Sequence, residues 1–355
     1  MNILSLMLCF SMAFGISLLA TPPVKNIAHK IGAIDVPKDA RRVHKKPIPR
    51  LGGLAIFIGF LVSALCFVEL DKQTIGFLIG SLIIVAIGIV DDVKQLRASV
   101  KLVAQILAAC IAVFSDIRII AFSVPYSIND AGILPLGSLS IPITILWIVG
   151  VTNAVNLIDG LDGLAVGVSS IATFSLFFIA ILAGEPTVAL LTAALAGACL
   201  GFLPYNFNPA KIFMGDTGST FLGYTLSIIC IQGLFKGYAI ISFIIPFLIL
   251  GLPIFDTASA IFRRIRNKQP IMSPDRGHLH HRLMDMGLSQ KQTVAILYII
   301  ATILGLSAVM VVERGAFVAT LLIIAVLIFV FFGGRFLLDR ISDKDTQSAD
   351  DKTDE

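Results

Sequence analysis

Asp91, Asp92, Asp159, Asp162 and Asp216 are five carboxylates with no cation beside them in sequence, set in an otherwise strongly apolar chain. They stand in "GIVDDVKQLRASVK", "NAVNLIDGLDGLAVG" and "NFNPAKIFMGDTGS". Such a group repels itself unless a divalent cation or protons neutralise it. Oxygen donors of the Asp and Asn type suit Mg²⁺ or Mn²⁺, and Mg²⁺ commonly completes its shell with substrate phosphates. The glycines of "DGLDGL" and "MGDTGS" permit tight turns and close backbone approach to a ligand. Lysines and arginines and a "HLHH" group accompany the acids and are natural partners for phosphate. The combination points to metal-assisted phosphoryl transfer on a nucleotide-like substrate.

Each part also has a plainer reading. Asp91 and Asp92 could be a solvated helix cap. "HLHH" could bind zinc or be one turn of a basic loop, although no cysteine accompanies it. The basic stretch 41–50 could anchor anionic lipid. Asp256, after "PFLILGLPIF", could pair with Arg263 or a neighbouring helix and is left outside the catalytic set; Pro246, Gly251 and Pro253 should bend its helix. Five cysteines lie in apolar stretches without a CxxC pair and read as small core residues.

The elements that must position these groups are membrane helices. Of 355 residues, 57% are hydrophobic and 14% charged, against roughly 25% charged in a soluble domain. The mean hydropathy is +0.93. The apolar residues come in long blocks, which predict about eleven transmembrane helices: 2–21, 51–69, 75–90, 101–117, 141–156, 164–183, 187–204, 219–234, 238–260, 293–312 and 316–334. The fold class expected is an all-α polytopic membrane bundle, one catalytic domain over 1–334, with a charged, disordered tail over 335–355.

With the N-terminus outside, 23 of the 27 Lys and Arg residues fall in the inner segments 23–50, 91–101, 205–218, 261–292 and 335–355. That asymmetry fixes the orientation, with the C-terminus inside. The first basic residues, Lys25 and Lys30, follow the first apolar run rather than preceding it, the reverse of a signal peptide. The same topology gathers the acids, all five histidines and most cations at the cytoplasmic membrane surface, in 23–50, 91–101, 153–163, 205–218 and 261–292. Ionisable groups beside hydrocarbon are a functional hypothesis by default. A transporter would place them nearer the bilayer midplane, and a scaffold gives no reason for a one-sided acid cluster. An enzyme fits, with one substrate from the cytoplasm and a second in the bilayer.

From about Lys38 to Leu288, five ordered motifs resemble the polyprenyl-phosphate N-acetylhexosamine-1-phosphate transferase superfamily. "RRVHKKPIPRLGG" and "RGHLHHRL" resemble its WecA/TagO-like branch rather than its MraY branch. The resemblance implies transfer of GlcNAc-1-phosphate from UDP-GlcNAc to undecaprenyl phosphate in the bacterial cytoplasmic membrane, releasing UMP and needing Mg²⁺ or Mn²⁺. It implies Asn156 and Asp216 as metal ligands, and Asp91 and Asp92 as the pair that activates the lipid phosphate. Asp159 and Asp216 complete the catalytic acids. Lys101 would bind phosphate, and Asp162 with Gly163 the uridine. His278, His280, His281 and Arg282 would meet the sugar and diphosphate, with Arg50 and Asn208 as further substrate-binding residues. Another UDP-N-acetylhexosamine or a MurNAc-pentapeptide donor, a two-step route through a phospho-aspartate, and a nucleotide-sugar transporter are the alternatives. No nucleic acid partner is expected. Homodimers occur among such enzymes, so a second copy is a candidate partner.

Overall fold

The computed structural model describes residues 2–37, 46–123, 133–234, 244–270 and 277–314. It is a polytopic helical membrane protein. The helices α1 (Ile3–Ile31), α2 (Gly53–Phe67), α3 (Lys72–Lys94), α4 (Ala98–Phe114), α5 (Ser140–Leu157), α6 (Leu164–Ala183), α7 (Pro186–Asn206) and α8 (Gly215–Leu234) follow the first eight expected spans. Among the described residues six helices, α1, α3, α5, α6, α7 and the later α12 (Gln290–Arg314), are long and apolar enough to cross a membrane. The eleventh expected span, the charged tail and the basic residues 38–45 lie outside the described residues.

Three departures from the expected elements have physical reasons. α1 continues ten residues past the expected end at 21, through Pro22 and Pro23, to a left-handed cap at Gly32. Its buried stripe, Leu6, Cys9, Ala13, Ser17, Thr21, Val24 and Ala28, keeps helical spacing across the prolines, so packing outweighs two lost N–H donors. The ninth span is two helices, α9 (Ile244–Ile249) and α10 (Gly251–Arg266), broken at Leu250 between the predicted bending residues. α10 buries Leu252, Asp256, Ala260 and Arg264 and exposes Phe255, Phe262 and Ile265, an amphipathic helix rather than an all-round apolar one. Finally, two short antiparallel hairpins interrupt the all-α pattern: β1 (Ile34–Asp35) with β2 (Ile48–Pro49), and β3 (Ala121–Ser123) with β4 (Ile133–Pro135).

In lipid, helices associate through close packing rather than through a hydrophobic drive, so small residues mark the contacts. Gly197 and Gly201 of α7 lie against the α1 carbonyls of Phe10 and Phe14. α8 is the centre of the bundle, packed by α2, α3, α5, α6 and α7. Phe221, Leu222, Tyr224 and Leu226 on it are wholly buried. Phe221 packs edge-on against Phe57 of α2, with centroids 5.3 Å apart. Several membrane-buried hydroxyls bond their own helix, as Thr152 does to the Ile148 carbonyl at 2.6 Å.

Candidate active site

Absent side chains first bring the helices together. Gly53 of α2 meets the Gly218 backbone of α8, and Gly88 of α3 meets Thr217, at distances that no Cβ would tolerate. Of the glycines in "DGLDGL" and "MGDTGS", Gly218 therefore serves helix–helix approach, while Gly160 and Gly215 stand where a ligand could approach. The consequence is that α3 delivers Asp92 to the start of α8. Asp92 Oδ1 accepts from the Asp216 N–H at 3.0 Å. Its Oδ2 accepts from the Thr217 N–H at 3.0 Å and the Thr217 hydroxyl at 2.6 Å. A carboxylate on these first N–H groups satisfies donors that the helix cannot. Gly215, at φ +73°, turns the chain beside that carboxylate. Arg50 completes the joint: its Nε donates to the Asp92 carbonyl at 3.1 Å and its Nη2 to that of Asp91 at 3.4 Å.

Lys101, in the first turn of α4, bridges two acids. Its Nζ is 3.1 Å from Asp91 Oδ2 and 2.5 Å from Asp216 Oδ2. Asp91 also accepts the Leu96 N–H at 2.6 Å.

At the end of α5 the Ser219 hydroxyl donates to Asn156 Oδ1 at 2.5 Å, tying α5 to α8. The following turn holds Asp159, whose carboxyl is pushed up to about 8, first by burial and then by the charges of Asp216, Asp92 and Asp162. Asp162 Oδ2 accepts from Asn208 Nδ2 at 2.9 Å and the Ala210 N–H at 3.0 Å. Asn208 also donates to Gln290 of α12 at 2.7 Å. Gly163, at φ +77°, donates its N–H to Asn206 Oδ1 at 3.1 Å and accepts the Tyr298 hydroxyl at 2.5 Å.

These ends enclose a polar cavity of about 380 Å³. Arg50, Asp92, Lys101, Asn156, Asp159, Asp162, Asp216 and His281 line it. The other sequence-derived candidates stand behind that lining. Asp91 sits beneath Lys101, Gly163 and Asn208 support the Asp162 turn, and Arg282 is exposed on α11 (Leu279–Asp285). His278 and His280 are 6% and 3% exposed. The His280 ring occupies the space that a side chain at Gly160 would need, and burial first, then His281, lowers its imidazole to about 4. It is neutral at physiological pH.

Five residues of the lining escaped the sequence reading: Asp35, Leu161, Asn206, Phe213 and Gln290. Asp35 reaches the site because β1 pairs with β2, which ends next to Arg50. Asn206 was legible in the "NFNPAKIFMGDTGS" cluster, where its buried amide also donates to the Ile212 carbonyl at 3.0 Å. Gln290 had no such signal. Asp256 pairs with His278 rather than with Arg263, at 2.7 Å.

Among the described residues, no three or more His, Cys, Asp or Glu side chains converge as a ready-made metal cage. The donor set still fits Mg²⁺. Asn156, Asp159 and Asp216 offer oxygen only, around a cavity where crowded carboxylates raise Asp159, and Mg²⁺ needs one or two carboxylates plus phosphate. Zinc, which prefers nitrogen and sulfur ligands, is not suited to this set.

A second cavity, apolar and about 340 Å³, lies between α5 and the α9–α10 pair. Trp147 and Phe247 form part of its wall, with ring centroids 5.5 Å apart. Ala154 marks its inner end on α5, on a different face of the helix from Asn156.

Comparison with known proteins places these features. Residues 74–234 match the model of glycosyl transferase family 4. A Bacillus subtilis protein named as a probable undecaprenyl-phosphate N-acetylglucosaminyl 1-phosphate transferase is 46% identical over 323 residues, covering 90% of this chain and 89% of that protein. The decaprenyl-phosphate N-acetylglucosaminephosphotransferase of Mycobacterium tuberculosis is 36% identical, covering 80% of this chain and 77% of its own. The undecaprenyl-phosphate alpha-N-acetylglucosaminyl 1-phosphate transferase of Thermotoga maritima is 31% identical, covering 84% of this chain and 96% of its own. Identity of 46% over nine-tenths of the chain shows that it belongs to the polyprenyl-phosphate N-acetylhexosamine-1-phosphate transferase superfamily.

Proposed function

We infer that the chain transfers GlcNAc-1-phosphate from UDP-GlcNAc to undecaprenyl phosphate, giving undecaprenyl-diphosphate-GlcNAc and UMP. The observation that carries this reading is a pair of cavities that share α5: a polar one at its inner end, lined by acids and cations, and an apolar one along another face of the helix. A soluble nucleotide sugar suits the first. A polyprenyl chain suits the second, with its phosphate at the Asn156 end. The positive-inside distribution supports an orientation with this end of the bundle on the cytoplasmic face of the membrane.

An oxygen of the lipid phosphate attacks the β-phosphorus of the donor. The bond from that phosphorus to the bridging oxygen breaks, and UMP leaves with the electron pair. A phosphate monoester is mostly dianionic at neutral pH, so no base is required. Both oxygens of Asp92 are engaged by three α8 donors, which suits a cap better than a nucleophile and favours direct attack over a phospho-aspartate. Lys101 and Arg50 hold the anionic phosphates against the carboxylate wall. Leu161 and Phe213 give the cavity an apolar edge for a flat base. Asn156, Asp159 and Asp216 would hold Mg²⁺, or Mn²⁺, which spreads the charge that builds on the diphosphate.

The test is UMP release by purified protein in detergent with UDP-GlcNAc, undecaprenyl phosphate and Mg²⁺, and EDTA as control. UMP that needs both substrates and metal supports the reading. Release only with another UDP-sugar would change the donor, and intact UDP-sugar flux without UMP would replace the enzyme with a transporter.

A further inference from the structure

Asp256 has a puzzling location for an acid. It is 4% exposed on the buried side of α10, in line with Ala260 and next to the apolar groove. An isolated carboxylate is costly there unless it is fully hydrogen-bonded. Its two oxygens are both committed to one short segment of another element. Oδ2 is 2.7 Å from His278 Nδ1, and Oδ1 accepts the Leu279 N–H at 2.8 Å. An ionised carboxylate only accepts, so Nδ1 of His278 carries the proton. A second hold comes from the same helix, where the Arg263 guanidinium lies against Gly277.

What this segment carries matters for the site. The His278 ring is parallel to that of His280, with centroids 5.8 Å apart. His280 packs on His281 at 4.3 Å and against Gly160, in the turn between Asp159 and Asp162. His281 then enters the polar cavity. The contacts run without a gap from Asp256 to a cavity-lining imidazole, although Asp256 itself does not line that cavity.

We propose that Asp256 is a positioning residue of the active site: by holding His278 and the Leu279 amide, it sets where His281 stands and supports the Gly160 turn beneath the donor. Apolar packing of α10 would be served equally by leucine. The acid is explained by the histidine segment it grips. Only the kinetic part of its test rests on the transferase reading.

The experiment compares wild type, Asp256→Asn, His281→Ala and the double variant. Asparagine keeps the size and one acceptor but can no longer fix the Nδ1–H tautomer. Asp256→Asn should lower kcat for UMP release by about tenfold to a hundredfold, the scale of a slightly misplaced catalytic group, in protein that melts somewhat lower but stays folded in detergent at the assay temperature. In the His281→Ala background the same change should cost less than about threefold, because residues acting as a unit are not additive. Equal losses in both backgrounds would overturn the proposal. A second readout needs no turnover. In ¹⁵N-histidine-labelled protein, with His278→Gln to assign the signal, His278 should be protonated at Nδ1, and both the His278 and His281 signals should move in Asp256→Asn. A wild-type His278 protonated only at Nε2, or a His281 signal that stays put, would overturn it as well. If wild type releases no UMP from any donor, the transferase reading fails and the spectrum alone decides the positioning role.

Discussion

Gln105 of α4 and Asn153 of α5 exchange two hydrogen bonds inside the bundle, Asn153 Nδ2 to Gln105 Oε1 at 2.6 Å and Gln105 Nε2 to Asn153 Oδ1 at 3.3 Å. Lys101 lies one turn before Gln105, and Asn156 one turn after Asn153. This amide pair therefore sets the rotation and depth of the two helices that deliver Lys101 and Asn156, the proposed phosphate-binding and metal-binding groups, to the same cavity.

Gln105→Leu should leave Asn153 Oδ1 without its donor, while Nδ2 keeps the Val149 carbonyl, and lower detergent-phase stability by about 1 kcal/mol, the scale of polar pairs between membrane helices. Gln105→Leu with Asn153→Leu should recover most of that loss, since no buried amide is then unpaired. Thermal unfolding of the three proteins checks it, and a double variant weaker than the single would refute the pairing.

Lys101 already pairs with Asp216, so it would compete with the proposed divalent cation for that carboxylate. Lys101→Met should lower turnover about a hundredfold, as for loss of one preorganised charge, yet reduce the Mg²⁺ concentration needed for half-maximal activity. A Mg²⁺ titration of UMP release reads both. An unchanged or higher requirement would remove Asp216 from the metal site.

Gly160 and Gly15 offer a paired comparison. A methyl group at 160 runs into the His280 ring, while one at 15 has nothing within 4 Å. Gly160→Ala should cost at least about tenfold in turnover. Gly15→Ala, in the interior of α1, should be neutral or gain up to about 1 kcal/mol. Equal behaviour of the two would mean that His280 is free to move aside.

The lowered imidazole of His280 has a defined stability signature. Its ordinary value of 6.5 falls to about 4 in the fold, so the unfolded chain binds the extra proton between those values. Stability is then complete above pH 6.5 and declines as pH falls toward 4, by about 2 kcal/mol at pH 5. His280→Gln should flatten that part of the profile in melting experiments from pH 7 to pH 5. A variant with the wild-type slope would assign the decline to other groups.

Gly150 faces open space in the apolar groove. Gly150→Phe should raise KM for undecaprenyl phosphate roughly tenfold, the equivalent of about 1.4 kcal/mol, while KM for UDP-GlcNAc holds. A short-chain acceptor should be affected less. Equal effects on long and short acceptors would place the lipid elsewhere.

The amino-acid sequence by itself determined the helical membrane class, most span positions, the one-sided gathering of polar groups and eight residues of the cavity lining. It could do so because burial in lipid demands long apolar runs, and because acids beside such runs are too costly to be incidental. Tertiary structure decided the rest, since partners distant in sequence leave no local pattern. Asp92 caps α8 only because Gly88 lets α3 approach Thr217. Lys101 neutralises Asp91 and Asp216 across 10 and 115 residues. Asp256 reads as an isolated acid until α10 lies beside His278. α1 runs through its two prolines because α2 and α7 pack along its whole stripe, and that packing is invisible to a rule that reads one segment at a time.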